Sequence, residues 1–415
     1  MSLATRTAVL SMHTSPLAPL GGATSGGMNV YVREISERLA ARGKLIDVFT
    51  RRSDLHIPTV VDLAPGARLI QIEAGPATPL SKDEMFPLTD EFAARVEAFR
   101  VSQRNRYDLI HSHYWISAVA GEQLALNWEV PHLGMFHTLG EVKIRARVSE
   151  QESPDRLDAE RRLAQSLDCI VAATGYEQRL LQRVYGVPKT RVAVIPLGVA
   201  SEKFFPDSRE LARAQLKIPL DAQVVLAVGR IEPLKGIDIL IRGMALITDK
   251  SKVRLLIVGG DEEAGPEFDR LTAIADEVGV RDLLTFAGSV PHDQMPNYYR
   301  SADVVVMPSF SESFGLVAVE AMASGVPVVV SRVGGLASTV VDGRTGYLIP
   351  WRCPEPFAEK IDLLLRNDSL RKALGTAGVE RMRAYSWDSV SEQLADLYDE
   401  ILGISVAQTT SVVGG

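Results

Sequence analysis

At 415 residues the chain is longer than one ordinary core organises, and two domains are expected. Its 46% hydrophobic and 23% charged residues are those of a globular protein. Forty-five Lys and Arg against 52 Asp and Glu leave a net charge of −7, which argues against a general nucleic-acid binder and makes any basic site local. Cys169 and Cys353 lie far apart without CxxC or Cys/His spacing, so neither a disulfide framework nor a zinc site is indicated. Cys169, in the apolar run CIVAA, reads as a small core residue. Arg6 is followed by only a short apolar run, and no stretch approaches the roughly 18 apolar residues of a membrane span. A cytoplasmic protein without a signal peptide is the expectation.

The elements, taken in chain order, alternate strand and helix twice over. Strand-length apolar runs in the first half stand at 7–12 (TAVLSM), 45–50 (LIDVFT), 107–112 (YDLIHS), 132–137 (HLGMFH), 169–174 (CIVAAT) and 192–197 (VAVIPL). A helical pattern fills 30–43, with Gly43 placed for its C-terminal cap. The segment at 196–207, PLGVASEKFFPD, reads as a linker. Beyond it, strand runs at 224–229, 254–260, 283–288, 303–309 and 326–331 alternate with helical patterns at 237–247, 268–279 and 314–325. Short β-branched runs between helices imply parallel sheets buried on both faces, hence an α/β fold of two doubly wound domains. A last helical pattern at 390–402 precedes a Ser/Thr/Gly tail, expected to be disordered.

In open α/β sheets, ligands lie beyond the carboxyl ends of the strands, at helix N-termini. The first such place is SMHTSPLAPLGGATSGGMNVYVREI at 11–35, where a strand ends, a glycine-rich loop follows, and a helix starts at Gly26-Gly27. The pair raises the question of what approaches so closely that no side chain is tolerated. A glycine turn capping a helix would need only one glycine. His13, His111, His113 and His137 all fall at or near strand ends of this half. A lone histidine there is ordinarily a satisfied core or surface side chain; four in one domain point to a site.

In the second half, VGRIEPLKG puts Arg230 at a strand end and Lys235 before a helix beginning near Gly236. Two fixed cations at a helix start suit a diphosphate leaving group, although alone they read equally well as solvated loop charges. Further on, Glu312 precedes Phe314-Gly315-Leu316, which open a helix carrying Glu320. Amides around Gly315 and Leu316 suit phosphate oxygens, and a carboxylate within that helix suits ribose hydroxyls. As plain surface charges, Glu312 and Glu320 would sit oddly in an otherwise apolar segment.

The combination of GRIEPLKG with E-x7-E, the latter as ESFGLVAVE, resembles the retaining glycosyltransferases of family 4, over nearly the whole chain. That resemblance implies a GT-B fold: two Rossmann-like domains facing a cleft. It further implies an acceptor-binding domain at 1–200, a nucleotide-sugar-binding domain at 201–385, a helix at 386–405 crossing back to the first domain, and the tail at 406–415. Arg230 and Lys235 would hold the donor diphosphate, Glu320 the ribose, and Glu312 the hydroxyls of the transferred sugar. The base would lie near Ser289 to Pro291, against Val290. Gly26 and Gly27 would let the backbone approach the diphosphate and the sugar, and His137 would sit over that sugar.

The N-terminal half is most similar to the subgroup acting on phosphorylated polyols and sugars, the D-inositol-3-phosphate N-acetylglucosaminyltransferases above all. The likeness rests on HTSP at 13–16, SGGMNVY at 25–31, AGP at 74–76, LSK ending at Lys82, HSHYW at 111–115 and FHTLGEVK at 136–143. It implies acceptor-phosphate ligands at Lys82, Tyr114, Thr138 and Arg156, with Asn29 on the acceptor ring. The segment around Arg156 departs from the family in length, so Arg161 and Arg162 compete for that role. Two cations with hydroxyl donors are what a phosphate dianion needs within an acidic protein.

Retention could use a carboxylate nucleophile, for which Glu141 is the nearest candidate; the family instead implies front-face attack, with the leaving phosphate deprotonating the acceptor. No DxD motif stands at a strand end, so no essential metal or other cofactor is expected beyond the nucleotide-sugar co-substrate, a UDP-sugar. A homodimer is implied by resemblance alone. Gly236-Ile237-Asp238 also suits sucrose-phosphate synthases and polysaccharide transferases, which leaves a sucrose-phosphate synthase-like enzyme or a glycan transferase as alternatives. From other classes, a nucleotide-sugar epimerase or a nucleotide-sugar sensor would need no acceptor-phosphate set.

Overall fold

The strand runs of the first half assemble in the order their connections dictate. A computed structural model describes residues 5–18, 27–146, 152–260, 265–350 and 352–404. Gly26 and the expected tail at 406–415 lie outside the described residues. The first sheet comprises β1 (Arg6–Leu10), β2 (Leu45–Arg51), β3 (Val60–Ala64), β4 (Ala67–Ile72), β5 (Leu109–His113), β6 (His132–Met135), β7 (Cys169–Ala172) and β8 (Val192–Val194). Their order is β3-β4-β2-β1-β5-β6-β7-β8. Every pairing is parallel except β3 with β4. The second sheet comprises β9 (Gln223–Val228), β10 (Val253–Val258), β11 (Leu284–Phe286), β12 (Val304–Met307), β13 (Val328–Ser331) and β14 (Gly346–Ile349). Its order is β11-β10-β9-β12-β13-β14, parallel throughout.

The strands are buried as continuous runs because helices cover both faces of each sheet. All five residues of β5, the polar His111, Ser112 and His113 included, are buried. The exception is instructive. β3 and β4 form a hairpin around Pro65-Gly66, an element the sequence reading did not include, and β3 is the half-exposed edge. A register shift between Asp62 and Ala64 interrupts its pairing, which blunts an otherwise open edge.

Among its parallel strands, each sheet reverses its order once. In the first, β1 is flanked by β2 on one side and β5 on the other; in the second, β9 stands between β10 and β12. At such a switch point the loops leaving the central strands diverge and open a crevice at the carboxyl ends. The first crevice is bounded by the loops after β1 and β5, which carry HTSP and Tyr114. The second is bounded by the loops after β9 and β12, which carry Arg230, Lys235 and Glu312. Topology alone therefore gathers motifs that are scattered through the sequence.

Two crossings join the domains, and they are hydrogen-bonded to each other. Val199 N–H donates to the Tyr385 carbonyl at 2.8 Å, and Trp387 N–H to the Val199 carbonyl at 3.4 Å. The helix Trp387–Ile401 then lies on the first domain. Arg42 Nη2 donates to the Asp388 carbonyl at 2.9 Å, Lys44 pairs with Asp399, and Tyr398 Oη is 2.7 Å from His111 Nδ1.

Candidate active site

The donor-side geometry starts with a glycine. After β9, a single 3-10 turn, Pro233–Lys235, is followed by Gly236 at φ +64°, which begins the helix Ile237–Ala245. A Cβ on Gly236 would stand 2.2 Å from the Pro308 carbonyl oxygen, so only glycine lets this loop press against the one after β12. Phe310 N–H donates to the Leu234 carbonyl at 2.8 Å and fastens the two loops together. Lys235 Nζ consequently meets Glu312 Oε2 at 2.9 Å. Arg230 pairs with Glu232 at 3.0 Å and keeps over half of its side chain exposed.

Downstream, Phe314 is buried against the core and Gly315, at φ +92°, starts the helix Leu316–Ala323. Glu320 lies one turn inside that helix and is 8% exposed. Its Oε2 accepts from Tyr299 Oη at 2.7 Å, and its Oε1 is 2.7 Å from His292 Nε2. His292 follows Val290 by two residues, and Val290 packs at the edge of the core. The sequence reading did not single out His292 or Tyr299.

The helix Gly27–Ala41 of the first domain points its start at this place. A Cβ on Gly27 would lie 2.5 Å from Leu316 Cδ1, so the group that crowds the glycine is the first residue of the facing domain's helix. Two helix N-termini meet across the cleft, each carrying about half a positive charge and unpaired N–H groups. An anion between them would answer both.

On the acceptor side, Lys82, Tyr114, Thr138 and Arg156 come together. Arg156 lies on the helix Pro154–Ser166, where the i,i+4 spacing to Glu152 and Glu160 fixes it: Nη1 to Glu152 at 2.7 Å and Nε to Glu160 at 2.7 Å. Its Nη2 donates to the Thr138 carbonyl at 2.9 Å and to Thr138 Oγ1 at 3.2 Å. The Arg156 guanidinium carbon sits 5.1 Å from the Tyr114 ring centroid and Lys82 Nζ 5.2 Å. Arg161 and Arg162 point elsewhere, the first paired with Glu141 and Asp158, the second with Glu122. Glu141, the candidate nucleophile, is thus committed to Arg161 and Arg145.

Tyr114 Oη is buried without a hydrogen-bond partner, although two cations flank its ring. Lys82 is an exposed residue whose ammonium reaches over the Tyr114 ring. Desolvation of its ammonium, followed by the charges of Arg156, Lys143 and Arg230, pushes its pKa down to about 8. The Arg230 contribution comes from the other domain, so donor-side and acceptor-side cations act on one another across the cleft. Asn29 Nδ2 donates to Thr14 Oγ1 and to the Ser15 carbonyl, both at 2.7 Å, tying the HTSP loop to the helix that starts at Gly27.

Two of the described non-glycine residues with positive φ lie here. Tyr114 has φ +73° and ψ 155°, a region that side-chain-bearing residues rarely occupy. His137 has φ +60° at the apex of a tight turn closed by Thr138 N–H donating to the Phe136 carbonyl at 2.7 Å. Each costs about 1–3 kcal/mol, which the surrounding packing must over-determine. His137 Nε2 lies 3.0 Å from His113 Nδ1, and Tyr31 sets its ring edge-on to both imidazoles. Burial first holds His13 and His137 near pKa 3, followed by the charges of Lys82, His137 and Arg156 on His13 and by His111 on His137, so both are neutral. The His13 ring lies 4.4 Å from that of Tyr114, tilted by 37°, with its Nδ1 unpartnered.

Among the described residues no helix is long and apolar enough to cross a membrane. Residues 208–381 match the family described as Glycosyl transferases group 1, and residues 25–203 match Glycosyltransferase Family 4. A D-inositol 3-phosphate glycosyltransferase of Acidothermus cellulolyticus is 40% identical over 409 residues, covering 96% of this chain and 90% of its own. The sucrose-phosphate synthase of Thermosynechococcus elongatus is 36% identical, with a TM-score of 0.89, and covers 97% of this chain and 100% of that one. Anabaena HepE, solved in complex with UDP and glucose, shares the fold at a TM-score of 0.75 and 19% identity, over 95% of this chain and 100% of its own. The two facing switch-point crevices, the family matches on both sides of the linker and relatives similar along nearly the full length agree: the chain is an enzyme of the family 4 glycosyltransferases, with the GT-B fold.

Proposed function

We propose that the enzyme transfers N-acetylglucosamine from its UDP-sugar to D-inositol 3-phosphate with retention of anomeric configuration. The observation that carries this reading is the convergence of Lys82, Arg156, Thr138 Oγ1 and the unpartnered Tyr114 Oη on one recess facing Arg230. A phosphate dianion there receives two cations and two hydroxyls, and Asn29 reaches the acceptor ring. The name of the Acidothermus relative supports the same acceptor.

Arg230 and Lys235, with the starts of the helices at Gly27 and Leu316, hold the donor diphosphate, and no metal is needed to balance its charge. Gly26 of the glycine pair shares that role, and the first-turn amides after Phe314 and Gly315 complete it. Glu312, anchored by Lys235, meets hydroxyls of the transferred sugar; Glu320 meets the ribose; the base lies over Val290. In the transfer, the bond from the anomeric carbon to the diphosphate oxygen breaks as the acceptor hydroxyl attacks from the same face. The hydroxyl proton passes to the departing diphosphate oxygen. Neutral His137 hydrogen-bonds the sugar without adding a positive charge beside the developing oxocarbenium ion.

A second reading, glucose transfer to fructose 6-phosphate, draws support from the 36% identity to the sucrose-phosphate synthase. Proton NMR of the product made from UDP-N-acetylglucosamine and D-inositol 3-phosphate tests the first reading. It predicts an α-linked pseudodisaccharide phosphate; a β-linked product, or sucrose phosphate as the sole product of a mixed-substrate reaction, would overturn it.

A further inference from the structure

The Glu320 carboxylate is held from two sides by one segment of chain. Tyr299, fully buried on the helix Met295–Ser301, donates to Oε2 at 2.7 Å. His292, in the turn before that helix, approaches Oε1 at 2.7 Å. Its ring rests 5.2 Å from Phe204, which also packs 5.8 Å from Tyr299, so the imidazole is seated against the linker. Burial opposes protonation of His292, yet the hydrogen bond and charge of Glu320 hold its pKa above the ordinary value, with Lys203 opposing and Glu34 assisting. The Nε2 side therefore serves as the donor to Glu320.

A carboxylate offers about four lone-pair directions. With one direction on each oxygen taken by Tyr299 and His292, one remains free on each oxygen, a pair that suits vicinal hydroxyls. With Tyr299 alone, the carboxylate could turn about its last torsion and lose that aim. We propose that His292 is a positioning residue that aims Glu320 at the two ribose hydroxyls of the donor, making the enzyme select ribonucleotide over 2′-deoxyribonucleotide donors. The same stretch that carries Val290 to the base then carries His292 to the ribose carboxylate, so base and sugar are read by one loop. This inference rests on the donor-site reading above.

The test is calorimetric and needs no acceptor. Whichever of UDP, GDP and ADP binds wild type most tightly is compared with its 2′-deoxy counterpart, in wild type and in the variants His292→Ala, His292→Gln, Tyr299→Phe and Glu320→Gln. Wild type is expected to prefer the ribonucleotide by about 30-fold or more, since a site built around a hydroxyl rejects the analogue lacking it. His292→Ala should bring that ratio below about 5-fold while binding of the deoxy compound changes less than about 2-fold. His292→Gln, whose side-chain amide nitrogen falls where Nε2 was, should restore most of the ratio. A purely structural role would weaken both nucleotides equally and leave the ratio unchanged. Tyr299→Phe removes the opposite clamp and should also lower the ratio, which keeps the inference exposed if His292→Ala is too unstable to measure. If Glu320→Gln abolishes the preference while His292→Ala retains it, the inference falls and the donor-site reading stands. If Glu320→Gln leaves the preference intact, the donor-site reading itself falls.

Discussion

Replacing Lys82 by Met isolates the electrostatics of the acceptor recess. Among the described residues the ammonium has no ion-pair partner to strand, and it lies on the first turn of a short helix, so its loss leaves the fold intact. A hydrogen bond to a charged group contributes about 1.5–3 kcal/mol, which corresponds to roughly 10- to 150-fold in affinity. Lys82→Met should therefore raise the acceptor KM by about 10- to 100-fold at pH 7 and leave the donor KM within about 2-fold. A pH dependence sharpens the claim. With a pKa of about 8, the ammonium is roughly nine-tenths charged at pH 7 and one-tenth charged at pH 9 in the free enzyme. The wild-type acceptor KM should thus climb above pH 8 and approach the Met variant's value, because binding the dianion must then draw in a proton. Lys82→Arg, whose guanidinium does not titrate in this range, should flatten the profile. Initial rates with varied acceptor between pH 7 and 9.5 provide the assay. An acceptor KM unchanged by Lys82→Met, or a matching rise in donor KM, would refute the reasoning.

Tyr114→Phe deletes a buried hydroxyl that has no protein partner, so melting temperature should hold or rise slightly while the acceptor KM rises about 5- to 20-fold; a clear loss of stability would mean that the hydroxyl is already satisfied. Gly27→Ala places a methyl 2.5 Å from Leu316 Cδ1, forcing that side chain away from the helix start, and should raise the donor KM at least about 10-fold with little change in melting temperature. Glu177 is buried, and desolvation raises its pKa to about 7 despite the hydrogen bond from Ala173 N–H. The folded state therefore retains a proton that the unfolded chain releases near pH 4.5. Unfolding free energy should fall by about 3 kcal/mol between pH 4.5 and pH 7 and level off above. Glu177→Gln should remove that component from chemical denaturation curves, and an identical pH slope in the variant would contradict it.

The alternation of β-branched runs with helical patterns was enough to place most of the parallel strands, because a strand buried on both faces is largely apolar. It was not enough for β3 and β4. VVDLA and ARLIQI mix polar and apolar residues, and only the intervening Pro65-Gly66 turn marks them as a hairpin. The short β14, beginning at a glycine, lacked even that signal. At the site, GRIEPLKG and E-x7-E were legible because loop glycines and charges interrupt otherwise apolar sequence. The competition among Arg156, Arg161 and Arg162 was not, since all three carry the same charge on one helix. What separates them is the helical phase that buries Arg156 with Glu152 and Glu160 and turns the others to solvent. The partner that crowds Gly27 is Leu316, a tertiary contact across the cleft that no local pattern encodes. His292 and Tyr299 were missed for the same reason: their meaning lies in a carboxylate on another helix.

Nucleoside diphosphate release from UDP-N-acetylglucosamine, followed with D-inositol 3-phosphate, unphosphorylated inositol and fructose 6-phosphate as acceptors, tests the central claim most directly. The account predicts release with D-inositol 3-phosphate at least about 100-fold more efficient in kcat/KM than with inositol, since the phosphate meets two cations, and little release with fructose 6-phosphate. Equal rates with inositol and its phosphate, or release with fructose 6-phosphate alone, would contradict it.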